Sequence, residues 1–105
     1  MSPRMVQLNR LLERDPRDAF VLYGLGQEHA KAGNHAEAIA MFDRALEADA
    51  GTFYAYFFKA RCLSALGRRE EAVAVAEAGQ AAAARAGDAK ATSELGSLVM
   101  ELEHA

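Results

Sequence analysis

Residues 19–52 read AFVLYGLGQEHAKAGNHAEAIAMFDRALEADAGT, and residues 53–86 read FYAYFFKARCLSALGRREEAVAVAEAGQAAAARA. A slide of 34 residues lays the first stretch on the second. Gly33 falls on Gly67, Glu37 on Glu71, Ala38 on Ala72 and Ala40 on Ala74; Phe20 meets Tyr54, Leu22 meets Tyr56, Tyr23 meets Phe57 and Ile39 meets Val73. Apolar residues in both copies recur at helical spacing, with no sustained alternation of period two, and a glycine interrupts both copies at the same place. The pattern is a duplicated helix-turn-helix unit. One helical hairpin cannot bury its apolar face alone, so such units stack on their neighbours.

Outward from the duplication the same periodicity predicts six helices and an all-α fold. β-Branched residues are sparse and both prolines precede position 17. The first helix runs from about Pro3 to Arg14, with Ser2 as its cap and Met5, Leu8, Leu11 and Leu12 on one face. Asp15-Pro16 ends it, because the residue before proline avoids helical geometry. Asp18 caps the second helix, which runs to about Ala32; Gly33 stops it, and Asn34 caps the third, His35 to Ala48. Thr52 caps the fourth, which ends at Leu66-Gly67. The fifth starts at Arg68 or Arg69 and runs to Arg85, and Asp88 caps the sixth, Ala89 to about Glu103. One domain therefore spans the chain: an N-terminal helix (1–16), a first unit (17–51), a second unit (52–87) and a C-terminal capping helix (88–105).

The first unit reads Leu22-x2-Leu25-Gly26-x2-His29, then Ala38-x3-Phe42, then Ala45. This resembles the tetratricopeptide repeat pattern of a large residue, Leu-Gly, Tyr, Ala-x3-Phe and Ala. The second unit reads Tyr56-x2-Lys59-Ala60-x2-Leu63, then Ala72-x3-Ala76, then Gly79; it keeps the small residues and loses large ones. Ala50 and Ala84 stand where the family has proline, and Pro16 matches that proline. The first helix thus resembles the second helix of a repeat, and Leu95-Gly96 resembles the Leu-Gly of a further first helix. The resemblance implies a helical repeat of two full units between capping helices. Gly26, Ala60, Ala38 and Ala72 would let helices approach closely, and Leu22, Leu25, Phe42, Tyr56 and Leu63 would fill the space between them. The fifth helix is the thin layer, since burying Ala in place of Phe forgoes about 2 kcal/mol. The C-terminal half is therefore expected either to be less stable or to pack tightly on the last helix, whose Ala91, Leu95, Leu98, Val99 and Leu102 face inward.

Composition narrows the function. The 105 residues are 51% apolar and 26% charged, the usage of an ordered globular domain. A net charge of -3 removes the main electrostatic case for nucleic acid. No run reaches the apolar length of a membrane helix, and the N-terminal stretch carries charges where a signal peptide needs an apolar core, so a cytoplasmic location is expected. A lone Cys62 and three dispersed histidines build neither a disulfide nor a metal site, and no cofactor is expected. Cys62 reads as a buried thiol; a dyad with His29 is the one Cys/His arrangement a helical stack would allow. Gly24 and Gly26 lie inside a helix and relieve packing rather than cradle phosphate. No catalytic constellation remains, and the chain reads as a non-enzyme.

The run Phe53-Tyr54-Ala55-Tyr56-Phe57-Phe58 is richer in rings than one buried stripe needs, because successive helical residues point about 100° apart. In the family the first helices line a concave groove. The resemblance carries groove positions onto Phe20, Tyr23, Gln27 and Lys31 in the first unit and Tyr54, Phe57, Phe58 and Arg61 in the second, extended by Lys90 and Glu94. A protein or peptide partner inserting apolar side chains is implied, with Arg61 and Lys31 orienting it. Tyr23 and Phe57 divide evenly between groove and packing, while Tyr54 and Arg61 fall to the groove. The carboxylate clamp of chaperone-binding members is not expected, since Tyr23, Gln27, Phe58 and Glu94 stand at its positions and only Lys90 has the right charge. The alternative is a homodimer closing over the same aromatic patch. Residues 1–17 sum to +2 and residues 88–105 to -3, a polarity that would favour head-to-tail contact but also suits ordinary solvated caps.

Overall fold

The structure, a computed structural model, describes residues 1–105. Six helices follow in order: α1 (Pro3–Arg14), α2 (Ala19–Lys31), α3 (His35–Ala48), α4 (Phe53–Ala65), α5 (Arg69–Ala86) and α6 (Ala89–Glu103). There are no strands. Consecutive helices pack in antiparallel fashion, and α2, α4 and α6 also touch in series, so they lie side by side along one face. The stack measures 38 × 30 × 18 Å.

The turns repeat as the duplication requires. Gly33, Gly67 and Gly87 all have φ near +80°, the left-handed region that glycine enters without a Cβ penalty. Behind each, the next amide reaches back five residues: Asn34 to His29, Arg68 to Leu63 and Asp88 to Ala83, at 2.9–3.0 Å. These bonds satisfy carbonyls that a helix end would otherwise leave open. At the starts, Ser2, Asp18 and Asp88 accept a hydrogen bond from the third residue on, as expected. Asn34 and Thr52 do not. Their ψ angles of 68° and 66° fall short of the extended backbone a capping side chain needs to reach those amides.

Two halves of the core are built differently. In the first unit Phe42 is completely buried and lies over Gly26, where an added Cβ would come within 2.4 Å of its ring. The equivalent pair in the second unit is Ala60 and Ala76. The missing volume arrives from α6: Leu98, Val99 and Leu102 join Ala60, Leu63, Ala72 and Ala76 in one cluster, and Leu95 joins Ala83 and Ala91 in another. Of the two outcomes expected for the alanine-rich layer, tight packing on the last helix is the geometry seen. Gly79 lets α5 close onto α4, since a Cβ there would lie 2.5 Å from Tyr56 Cβ.

Two residues differ from their expected burial. Leu11 is 47% exposed, although Met5 and Leu8 beside it are buried. Its counterpart one repeat later is Ala45, which is fully buried in its own hairpin; α1 packs only on α2, and that face of it has no helix to meet. Tyr56 is half-buried rather than a core filler, because its ring rides over Gly79 at the α4–α5 seam.

Candidate functional site

The predicted residues lie on α2, α4 and α6. Four of them converge. Gln27 and Lys31 near the end of α2, with Phe58 and Arg61 of α4, line a cavity of about 360 Å³ that is completed by Arg4, Ala30, His35 and Cys62. Phe57 and Arg61 line a second cavity, of about 280 Å³, against Ser93, Glu94, Ser97, Leu98 and Glu101 of α6. Arg61 stands on the ridge between the two. Its guanidinium sits 5.1 Å from the Phe57 ring centroid and 3.3 Å from Glu101 Oε2.

The remaining predicted residues lie toward the other end of the helices. Phe20 projects into solvent at 76% exposure. Tyr23 is half-buried: its ring packs 6.0 Å from both Phe42 and Phe58, and its hydroxyl accepts from Gln27 Nε2 at 3.2 Å. Phe58 in turn stacks 6.3 Å from Phe42 and meets Phe57 edge-on at 5.3 Å. Tyr23, Phe57 and Phe58 are therefore half-buried, with Phe58 lining the first cavity and Phe57 the second. Tyr54 packs against the Ala83, Ala91 and Leu95 cluster. Burial first, and then the Glu94 carboxylate, raises its phenol pKa above the ordinary value; burial likewise raises that of Tyr23, helped by Tyr54.

Sequence reasoning missed the residues that other helices supply. Glu28 is a buried carboxylate, 7% exposed, that accepts from Ser2 Oγ at 3.0 Å, Arg4 Nη1 at 2.9 Å and Lys31 Nζ at 3.0 Å. Hydrogen bonds from Lys31 and Arg4 lower its pKa to about 2. It ties α1 to α2 and holds two cations at the cavity rim. Arg4 and His35 enter from α1 and α3, at no spacing that a repeat pattern reveals. His29 lines a different cavity, with Met1, Ser2 and Glu28, while Cys62 shares its cavity with His35. Burial raises the Cys62 thiol pKa, the opposite of what a reactive thiolate needs. No group of three or more His, Cys, Asp or Glu side chains is gathered in metal-binding range. No helix is long and apolar enough to cross a membrane.

A family model described as tetratricopeptide repeat matches residues 29–93. The chain belongs to the tetratricopeptide repeat family. A tetratricopeptide repeat domain protein from Salinibacter ruber, solved in solution, is 31% identical, with 86% of this chain and 91% of that one covered at a TM-score of 0.78. The TPR2B domain of yeast Sti1, solved as a complex with pHsp70, is 23% identical over 95% of this chain and 80% of its own, at a TM-score of 0.88. The Yersinia enterocolitica type III secretion translocator chaperone SycD is 20% identical over 94% and 69%, at 0.84. No curated protein sequence matches significantly. The tetratricopeptide repeat is generally a non-catalytic fold whose stacked units present an extended concave surface to other proteins.

Proposed function

We propose that this tetratricopeptide repeat chain is a non-catalytic interaction module that takes a peptide or helix of another protein along the α2–α4–α6 face. One observation carries the reading: Gln27, Lys31, Phe58 and Arg61, separated by up to 34 residues in sequence, line one open cavity. Phe20, Tyr23, Tyr54 and Phe57 extend the same face as the apolar part of the contact. Aromatic edges ringed by cations are the composition of energetically dominant contacts in protein interfaces. The Sti1 domain, solved with pHsp70, gives this reading a precedent in fold.

Phe20→Ser combined with Arg61→Gln tests it, because both side chains are surface-exposed and the variant should keep its helical circular dichroism. Affinity capture with wild type should retain a protein that the double variant loses. Equal capture by both would overturn the reading. Light scattering over a dilution series should show a monomer throughout. A dimer that Tyr54→Ala/Phe57→Ala dissociates would instead mean that the face is used by a second copy.

A further inference from the structure

We infer that the partner segment is bipolar: an acidic side chain enters the α2–α4 cavity, a basic one enters the α4–α6 cavity, and apolar side chains between them lie on Phe58 and Phe57. The inference rests on the proposed function and names the chemistry of its ligand. The two cavities differ in charge. Arg4, Lys31 and Arg61 line the first, and no carboxylate does. Glu28 is buried and accepts from Ser2, Arg4 and Lys31, so one carboxylate is set against two of these three cations. Glu94 and Glu101 line the second, and Arg61 is its only cation.

His35, the first residue of α3, also lines the first cavity, and that end of a helix favours negative charge. The two rings divide likewise: Phe58 lines the cationic cavity and Phe57 the acidic one, with centroids 5.3 Å apart.

Arg61 couples the halves. In the free chain its charge is held by Glu101 at 3.3 Å and by the Phe57 face. A basic partner side chain at Glu101 releases Arg61 toward the partner's carboxylate, so each half of the ligand favours binding of the other. A purely acidic segment would have to break the Arg61–Glu101 pair and leave Glu101 unpaired beside it.

The test is selection of short random peptides displayed against the immobilised chain, followed by fluorescence anisotropy of the enriched peptide. The enriched sequences should carry one acidic and one basic residue flanking Leu, Phe or Met. Replacing the acid by its amide, or testing the Arg61→Gln chain, should weaken binding about tenfold, a difference of about 1.4 kcal/mol. Arg10→Gln, on α1 away from both cavities, should leave it unchanged. Glu94→Lys/Glu101→Lys should reject the enriched peptide and accept one whose basic residue is replaced by Glu. Enrichment of apolar peptides without the charge pair, or equal binding by Arg61→Gln, would overturn the bipolar ligand and leave the groove standing. No enrichment of any sequence would overturn the groove reading itself.

Discussion

The two repeats share a backbone plan and fill it by opposite means. The α2–α3 hairpin supplies its own large side chains: Leu22, Leu25 and Phe42 are each no more than 1% exposed, and Gly26 makes room for the Phe42 ring. The α4–α5 hairpin presents Ala60, Ala72, Ala76, Gly79 and Ala83 and gains its side-chain volume from Leu95, Leu98, Val99 and Leu102 of α6. Arg69 strengthens the dependence by donating to the carbonyls of Leu102, at 2.7 Å, and Glu103, which closes the C-terminal end of α6. A repeat thus tolerates loss of its large residues when the following helix brings replacements, since only the packed total must be conserved.

Removing α6 should break this dependence most severely. Each of its four large buried residues contributes about 1.5–3 kcal/mol, and together they approach the whole net stability of a small domain, about 5–15 kcal/mol. A chain ending after Gly87 should lose cooperative thermal unfolding of the second hairpin by circular dichroism. Hydrogen exchange should find residual protection concentrated in α2 and α3. A truncated chain that melts as a unit near the wild-type temperature would show that the alanine-rich hairpin stands alone.

Glycine replacements sharpen the contrast at smaller scale. In Gly79→Ala the new Cβ meets Tyr56 Cβ at 2.5 Å, an atom anchored to its backbone, so α4 and α5 must separate. We expect a loss of about 2–3 kcal/mol in chemical denaturation, near the upper end of overpacking costs. Gly26→Ala meets the Phe42 ring at 2.4 Å and should cost less, about 1–2 kcal/mol, because the ring can tilt. Gly96→Ala meets only the flexible end of Gln80, and the helix gains about 0.5–1 kcal/mol, so this variant should be neutral or stabilised. Equal losses at all three positions would refute the distinction between backbone-limited and side-chain-limited contacts.

The last expectation concerns the tie between α1 and α2. Glu28 has its pKa lowered from 4.5 to about 2 by Lys31, Arg4 and Ser2. A carboxyl depressed on folding contributes stability that is present above its unfolded pKa and lost as pH falls through the folded one. The melting temperature of wild type should exceed that of Glu28→Gln at neutral pH, and the gap should close between about pH 4.5 and pH 2. A gap that persists at pH 2 would assign the difference to packing rather than charge.

Much of this molecule follows from the chain read as a string. The 34-residue self-match, the glycines at the turns and the apolar stripe of α6 determined the number of helices, their bounds to within a residue or two, and the repeat fold. These are local or periodic properties, and helix geometry converts spacing into direction without further information. The same periodicity put Gln27, Lys31, Phe58 and Arg61 on one face, and they line one cavity. Only the tertiary structure decided how far the rings are buried, because Tyr23, Phe57 and Phe58 each lean on Phe42 or on α6. It also exposed Leu11, whose burial depends on a neighbouring helix and not on its own stripe. And it brought Arg4, Glu28, His35 and Cys62 to the site from four different helices. Contacts between elements of unrelated spacing leave no period in a sequence, and so the charge lining the two cavities became legible only once the helices were stacked.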